Sequence, residues 1–578
     1  MEEYKIVKHL DDIIESYKAP TQRVDGLIRN PKDIIRTIEF YTASEFISGN
    51  TDQLGREKPF YNAVNYRTTI AKIATDLDVK DIRFEPDSIE HSVQAMLINH
   101  ELYKFLKEVN FSLTLNEMAL TRPKYGGVLV KKSKENGTIK IDVVDWVNVD
   151  FDPSDVLGGT IIETFYMFPS ELSEKSDIWE NVDDVIAAHE KLNKNKPAKI
   201  EVKEVNGVFP ETFDPKIENP SPTKYKRMCF YLACVGKKKF YLYGESDVDL
   251  NFKYLSWEAV GKGLGRGVVE DGFNAQVWIN DAMISMKNAM ELSGKVVLAT
   301  DSQRVGGNVI TGIDNGHIFE LEPGRSITSL NLSASALPQF QNIIDLWNQQ
   351  YDRSASTFDA NTGESPTAGT PYSQTALLNQ VANSPFEFRR EEFGIFLNEI
   401  LNDWIFPEIK KRILKKHYLQ SEFSDEELKI IDEAIINQET NKKLFEMTLN
   451  DIVPTPLDQQ MIAGGIGESL TKFGAKRQIE IPEKFLDVAG HLTCNITGEL
   501  KNKSAILQSL DSIFKTVVAT FNPNTGKYAA LEDPALSKIF GMIVETAGVP
   551  ISSAQLKSGV SKPDLSAIQP AQPMTAVQ

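Results

Sequence analysis

Apolar side chains follow a helical period through roughly the first 125 residues. Within Ala63–Ile82 and again within Met96–Leu120, they return every three or four positions. That spacing places them on one face of a helix. We therefore predict a mainly helical start to the chain, with helical segments in these two ranges.

The pattern then changes to strict alternation, which is typical of half-buried strands. Residues 127–132 and 139–143 alternate on either side of Asn136-Gly137, a pair that favours a tight turn with positive φ. A second alternating stretch, Met228–Leu242, turns through residues 236–239. Both patterns predict β-hairpins, and the polar, Pro-containing stretch Asn206–Thr223 before the second is predicted to be a surface loop.

The middle of the chain predicts two helices around a β-rich insert. Gly261–Gly267 has a glycine at every second position and leads into a helical pattern from Val268 to Leu292. A second helix is predicted from just after Ser335 to about Tyr351. The insert between them carries short alternating runs that predict strands near residues 295–298, 308–310 and 317–320.

Beyond the second helix, Arg353–Ser373 is rich in Ser, Thr, Gly, Asn and Pro, and a polar loop of this length is usually functional or disordered. A helical pattern resumes at Gln374 and runs to about His417. We expect it to be interrupted near Asn383-Ser384-Pro385 and at Pro407. Further helices are predicted near 425–436 and 500–520, and a disordered tail from Ser552.

Charge limits how this protein can handle nucleic acid. It has 63 basic and 81 acidic residues, a net charge of −18. Proteins that grip the outside of duplex DNA usually carry a basic excess, because phosphate contacts dominate affinity. An acidic wall would guide DNA rather than hold it. No apolar run reaches the ~20 residues of a membrane span, and Met1–Lys5 does not resemble a signal peptide, so we expect a cytoplasmic site of action.

Motifs for catalysis are sparse. The spacing of Gly261–Gly267 matches neither a dinucleotide-binding fingerprint nor a P-loop, so a flexible hinge is favoured over nucleotide binding. Asp150–Asp155 begins like a calcium loop but contains Pro153, and a turn at a strand end is favoured. The lysines at 237–239 are best explained as a solvated turn. We expect no catalytic site, no metal and no cofactor.

Several local sequences, in the order in which they occur, resemble the portal proteins of tailed bacteriophages, especially those of podoviruses. The resemblance covers most of positions 60–550 and depends more on the order of helices than on fixed residues. These sequences are Pro123–Gly127 with the following hairpin, Asp145–Asp152, Gly265–Asp271, Pro366–Ala368, Thr375-Ala376, Ile506–Leu510 and Glu545–Pro550.

The resemblance implies a portal fold of the α+β class, mainly helical, with wing, stem, clip and crown. Subunits would form a ring, of twelve copies in that family, at one capsid vertex of the virion. Double-stranded DNA would pass through the channel, and terminase, the major capsid protein and tail adaptor proteins would be partners. No membrane is implied, and assembly would take place in the host cytoplasm.

Carried onto this chain, the resemblance divides it into eight parts. They are 1–260 (N-terminal helices and wing), 261–294 (first stem helix), 295–332 (clip), 333–353 (second stem helix), 354–373 (tunnel loop), 374–420 (wing helix), 421–551 (C-terminal wing and crown) and 552–578 (disordered tail). Residues expected to face DNA are Asn361, Thr362, Ser365, Thr367 and Tyr372, and those of a stem hinge are Gly263, Gly265 and Gly267.

Two alternatives stay open at this point. One is an enzyme that binds a nucleotide at Gly261–Gly267. The other is a different structural component of a virion, such as a scaffold or an adaptor, against which the length of the chain and its helix–insert–helix order argue.

Overall fold

The protein is mainly helical and carries several antiparallel sheets, so the α+β class is confirmed. The computed structural model describes residues 5–18, 22–24, 27–52, 55–87, 92–135, 137–193, 198–214, 216–217, 220–293, 297–300, 327–330, 337–357, 372–415, 418–419, 425–449, 455–471, 478–479, 490–494, 521–522 and 527–528.

Helices are numbered along the described chain. They are α1 Lys5–Lys18, α2 Pro31–Thr42, α3 Ala63–Thr75, α4 Ser92–Glu108, α5 Phe111–Tyr125, α6 Pro169–Ser173, α7 Val182–Asn193, α8 Val268–Asp271, α9 Phe273–Ser293, α10 Leu337–Ala355, α11 Tyr372–Ile400, α12 Phe406–Lys415, α13 Asp425–Leu449 and α14 Pro456–Thr471.

Strands are numbered in the same way. They are β1 Gln22–Val24, β2 Leu27–Arg29, β3 Ile82–Pro86, β4 Gly127–Glu135, β5 Thr138–Val143, β6 Val149–Asp150, β7 Ile161–Met167, β8 Ile200–Pro210, β9 Tyr225–Val235, β10 Lys238–Ser246, β11 Phe252–Ser256, β12 Val297–Thr300, β13 Ile327–Leu330, β14 Tyr418–Leu419, β15 Gln478–Ile479, β16 Gly490–Cys494, β17 Phe521–Asn522 and β18 Lys527–Tyr528.

The chain divides into two compact units. The first comprises residues 1–78 and 110–396, and the second comprises residues 79–109 and 397–578. Both units are therefore built from segments that are far apart in the sequence.

Two antiparallel sheets organise the first unit. One has the strand order β10-β9-β8-β7-β6 and the other the order β11-β4-β5. Both predicted hairpins are confirmed: β4 pairs with β5 around Gly137, and β9 pairs with β10 around Gly236. Both glycines have positive φ, 80° and 61°, which glycine adopts without steric cost.

The main core of this unit surrounds Trp146, which is completely buried and donates its indole N–H to the Gly127 carbonyl at 2.9 Å. Phe151 and Tyr254 meet its ring edge to face. The same core includes Val268 and Ile279 on α8 and α9, so the middle helices are fixed to the sheet region at this end.

Several strands were not predicted, among them β7 and β8. The predicted surface loop Asn206–Thr223 is wrong in its first part, because β8 continues to Pro210 and a 3-10 turn follows at Glu211–Phe213. Strand β7 was missed as well. Along most of its length β8 pairs with β9, which buries Val205 and Phe209 and explains why this stretch is a strand.

The two long N-terminal helices are shorter than predicted. Helix α3 ends at Thr75, and Ile82 begins strand β3 instead of ending the helix. The pattern in Met96–Leu120 is divided at Asn110, whose φ of 51° lies in the left-handed region that asparagine tolerates better than most residues.

The predicted helix Val268–Leu292 is also divided. The chain turns at Gly272, between α8 and α9. A Cβ added to Gly272 would lie 2.1 Å from the ring of Tyr351, so only glycine fits there. Tyr351 belongs to α10, which is confirmed and extends to Ala355.

Helix α11 passes through Pro385 without a break, so the interruption predicted at residues 383–385 is wrong. The helix tolerates the missing hydrogen bond because Phe386 and Phe393 beyond it are buried in the protein. A π-helical segment at Leu401–Ile405 precedes Pro407, and the Phe406 N–H donates to Leu401, five residues back.

In the second unit, β3 pairs with β16, and Phe84 on β3 stacks on Phe406 with ring centroids 5.2 Å apart. Asn402 bonds both the N–H and the carbonyl of Leu492, at 2.8 and 2.9 Å. Helix α13 is longer than its predicted range of 425–436, and α14 was not predicted. The predicted helix at 500–520 and the predicted tail from Ser552 lie outside the described residues.

Candidate functional site

The glycine segment packs against the backbone between α5 and β4. A Cβ on Gly265 would lie 2.2 Å from the Gly126 carbonyl oxygen, and one on Gly267 would lie 2.5 Å from the Gly126 nitrogen. Tyr254 links the same segment, since its hydroxyl donates to the Gly263 carbonyl at 3.2 Å and accepts from the Gly265 N–H at 2.8 Å. The hinge at these glycines stays a prediction, and bending there requires separating these contacts.

A buried arginine reinforces this joint from β2. The Arg29 guanidinium donates to the Leu264 carbonyl and, at 2.8 Å, to the Gly265 carbonyl. It also pairs with both carboxylate oxygens of Glu270 on α8, with one bond at 2.8 Å. Arg29 therefore ties the N-terminal hairpin to the point where the chain enters the helix pair.

Asp271 is the most perturbed acid at this entry. Burial raises the pKa of its carboxyl to about 7, and the negative charges of Glu258 and Glu270 act in the same direction. Arg266, 3.5 Å away, opposes the shift. The start of α8 is therefore a place where one proton changes the local charge near neutral pH.

The geometry does not favour a nucleotide at this segment. The Gly265 amide already donates to Tyr254, and the Arg266 amide donates to the Glu258 carbonyl at 2.9 Å. Helix α8 has only four residues, and its first turn carries Glu270 and Asp271. A phosphate would meet occupied amides and negative charge, the opposite of what helix N-terminal phosphate sites provide.

Helices α9 and α10 run antiparallel. The Tyr351 hydroxyl donates to the Val268 carbonyl at 2.8 Å, at the start of the pair. One step along, Trp278 stacks on Trp347, with ring centroids 5.9 Å apart and planes 10° from parallel. Successive contacts therefore lie further toward the C-terminus of α9 and further toward the N-terminus of α10, as expected for an antiparallel pair. Ile279 and Ile344 are buried against the main core.

Several large apolar side chains of the pair are exposed to solvent. Trp278 is 53% exposed and Leu346 is 54% exposed, and Val277 and Met290 are similar. We call these four residues the apolar strip. About half of each of these side chains is exposed to solvent, and exposed apolar surface of this kind commonly marks an interaction site.

Strands β12 and β13 join the far ends of the two helices. Val297 pairs with Leu330 and Thr300 pairs with Ile327, in antiparallel register. The first predicted strand of the insert is therefore shifted from 295–298 to 297–300, and β13 was not predicted. The strands predicted at 308–310 and 317–320 lie outside the described residues.

The end of α10 is held by a second buried arginine. Arg67 on α3 bonds Asp352 at 2.7 Å and the Asn348 carbonyl at 3.1 Å, and its guanidinium lies 4.4 Å from the centre of the Tyr351 ring. The Thr357 N–H donates to the Asp352 carbonyl at 2.9 Å. The chain leaves α10 from a fixed position.

The predicted tunnel loop, 354–373, is too long at both ends. Ser354 and Ala355 belong to α10, and Tyr372 is the first residue of α11 rather than a loop residue. The remaining predicted DNA-facing residues lie outside the described part of the chain. They are Asn361, Thr362, Ser365 and Thr367.

A third buried arginine holds α11. Arg122 on α5 pairs with Glu392 at 2.6 Å and donates to the Arg389 carbonyl at 2.6 Å. Burial lowers the pKa of Arg122 to about 10. The guanidinium carbons of Arg122 and Arg389 each lie 5.5 Å from the centre of the Trp257 ring. Helices α10 and α11 are thus both anchored to the N-terminal helices of their unit.

Sequence reasoning missed Arg29, Arg67 and Arg122. Their carboxylate partners lie between 241 and 285 residues away, so no local pattern reveals them. The one available hint was the position of Arg67 and Arg122 among the apolar residues of α3 and α5, since arginine is almost never fully buried unless it is paired.

The part of the chain that the structure describes has neither a metal-ligand cluster nor a membrane-spanning helix. It contains no group of three or more His, Cys, Asp or Glu side chains suited to a metal ion. The Asp150–Asp155 stretch is a turn, as predicted, with the Ser154 N–H donating to Asp152 at 2.8 Å. Among the described helices, none is both long enough and apolar enough to span a membrane.

No protein-family model matches this chain, and no curated protein matches it.

Proposed function

We propose that this chain is the subunit of a ring-shaped conduit for double-stranded DNA, the portal at one capsid vertex of a tailed phage. The observation that carries the proposal is the antiparallel pair α9–α10 with β12 and β13 between its far ends. The polar stretch and the long helix α11 follow in the order of stem, clip, stem, tunnel loop and wing.

The apolar strip supports assembly into a ring. Burial of apolar surface stabilises a contact by about 25 cal/mol for every Å² removed from water. A neighbouring subunit that covers side chains such as Trp278 would therefore form a more stable contact. Closed rings require two different, complementary surfaces on each subunit, because the contact is head to tail. By resemblance the ring would have twelve copies.

Charge supports a guiding role for the channel. The chain carries a net −18, and residues 354–373 contain just two acids, Asp359 and Glu364, and no lysine or arginine. Hydroxyl and amide groups there could contact phosphates briefly, and such contacts position DNA without reading its sequence. The buried anchors at Arg67 and Arg122 would keep the flanks of this stretch in place while DNA moves.

Partners follow from the same proposal. The insert at 295–332 would dock terminase during packaging and a tail adaptor afterwards, and the major capsid protein would surround the ring. The protein would then be assembled in the host cytoplasm and remain in the virion. No cofactor is needed for these roles, and the proposal includes no catalytic step.

The proposal is tested by placing a charge on the apolar strip. We expect Leu346→Asp to dissociate the ring, because a buried unpaired carboxylate costs several kcal/mol at each interface. Light scattering should give the parent a mass about twelve times 64.8 kDa and the variant a much smaller one.

The matched control is Leu192→Asp, which makes the same change at a leucine on α7 that is 59% exposed. It should assemble like the parent. A parent that stays monomeric at every salt concentration would refute the proposal, and equal assembly of Leu346→Asp and the parent would place the interface elsewhere.

A further inference from the structure

The strongest concentration of positive charge lies at the end of α12. Five of the seven residues in 410–416 are lysine or arginine, and none is acidic, although the chain as a whole carries a net −18. Net charge averages over the whole surface, whereas DNA binding depends on the local arrangement of cations. The acidic total therefore does not describe this part of the molecule.

The fold directs Lys411 on α12 outward. Ile409 and Ile413 are buried, so the opposite side of α12 faces solvent. Lys411 is exposed there, and the Lys410 ammonium lies 4.6 Å from the centre of the Phe406 ring. The aliphatic stem of Lys410 can thus cover an apolar ring while its charged end remains available to solvent.

Helix α4 packs beside α12 and extends the surface. Arg412 lies 4.7 Å from the centre of the Phe105 ring and pairs with Glu108 at 2.7 Å. Lys104 and Lys107 belong to the same two turns of α4, and Lys107 is exposed. We call Lys104, Lys107, Lys410, Lys411 and Arg412 the basic face.

An aromatic side chain accompanies the charge. Tyr103, next to Lys104, is 63% exposed. Three acids belong to these two helices: Glu101 is buried, Glu108 already pairs with Arg412, and Glu408 lies in the first turn of α12. Helices α4 and α12 together carry six lysine or arginine residues against these three acids, a positive balance of three charges.

We infer that the basic face binds the phosphate backbone of double-stranded DNA, without regard to sequence, through residues other than those proposed for the channel. Two neighbouring helices present several cations at once, which suits a regular row of phosphates. The exposed lysines would act as point charges, and Tyr103 offers a hydroxyl for a phosphate oxygen.

The test compares two pairs of lysines in the full chain. K410Q/K411Q removes two charges from the basic face, and K237Q/K238Q removes two exposed lysines from the β9–β10 turn. Binding of a short fluorescent duplex is followed by anisotropy from about 50 to about 200 mM salt.

K410Q/K411Q should lower the slope of log affinity against log salt by about 1.8, since each phosphate contact contributes about 0.9. The resulting loss of affinity at the lowest salt should be tenfold or more, and the control should match the parent. Poly-aspartate at equal charge concentration should not displace the duplex from the parent.

Three outcomes would overturn the inference: no binding of the duplex by the parent at low salt, equal losses of affinity in both variants, or displacement of the duplex from the parent by poly-aspartate. Measuring the mass of each sample separates this inference from the proposed function. A ring without duplex binding refutes only the basic face, and duplex binding by a monomer refutes only the ring.

Discussion

Replacing Asp271 with asparagine should change how the stability of the protein depends on pH. The Asp271 side chain is 16% exposed, and burial raises the pKa of its carboxyl from 3.8 to about 7. Glu258 and Glu270 add to the rise, and Arg266 counteracts it. The folded protein therefore holds this proton more tightly than the unfolded chain does, and the ionised form opposes folding.

The sign and the size follow from this shift. The contribution of Asp271 to the free energy of unfolding is largest below pH 4 and falls as the pH rises to about 7, above which it is constant. One pKa unit corresponds to about 1.4 kcal/mol, so the shift amounts to about 4 kcal/mol at pH 8. About 2.5 kcal/mol of this loss should occur between pH 5 and pH 8.

Urea unfolding followed by tryptophan fluorescence, at constant ionic strength, measures this loss. The stability of Asp271→Asn relative to the parent should increase by about 2.5 kcal/mol from pH 5 to pH 8, because asparagine cannot ionise. In Arg266→Gln the fall in stability should extend to higher pH than in the parent, because the substitution removes the cation that opposes the raised pKa of Asp271. If Asp271→Asn and the parent respond identically to pH, the carboxyl titrates as it does in the unfolded chain and the reasoning fails.

Three further changes test other parts of the structure. Gly265→Ala should lower the free energy of unfolding by about 1–3 kcal/mol, because its Cβ would lie 2.2 Å from the Gly126 carbonyl oxygen, and an unchanged urea midpoint would contradict this packing. Replacing residues 295–332 with a short Gly-Ser linker should leave the circular dichroism of the first unit intact and abolish DNA packaging; normal packaging would show that the insert is not the clip. Lysines introduced between residues 358 and 371 should make DNA retention salt-sensitive, and retention like that of the parent at low salt would place this stretch away from DNA.

The features that could be predicted from the sequence are those with local causes. The β4–β5 and β9–β10 hairpins depend on turn residues and alternating side chains within about twenty positions, and α10 on its own apolar stripe. The break at Asn110 also had a local signal, because asparagine tolerates the left-handed conformation, but the continuous apolar period concealed it.

What could not be predicted depends on distant partners. Gly272 ends α8 where the ring of Tyr351 fills the space, 79 positions further along the chain. The anchors at Arg29, Arg67 and Arg122 join elements more than 240 residues apart. An isolated arginine in a sequence predicts a solvent-exposed side chain, so none of the three could be predicted as an anchor. The helical course through Pro385 could not be predicted, because the burial of Phe386 and Phe393 beyond it is a tertiary effect.

The candidate site likewise has features that the sequence predicts and features that depend on the packed structure. The order helix, insert, helix was evident from hydrophobic periodicity, whereas the exposure of Trp278 and Leu346 required the packed structure. Periodicity identifies apolar faces but does not say whether the chain itself or a neighbour covers them. The basic face was missed for the corresponding reason, since its cations come from α4 and α12, about 300 positions apart.

Electron microscopy of the purified protein tests directly whether the chain forms a DNA conduit. A portal subunit should appear as uniform rings of many copies with an open central channel, wide enough for a duplex of about 20 Å, and Leu346→Asp should abolish them. Monomers, or closed particles without a channel, seen under the same conditions at low and high salt, would contradict the assignment of this chain as a DNA conduit.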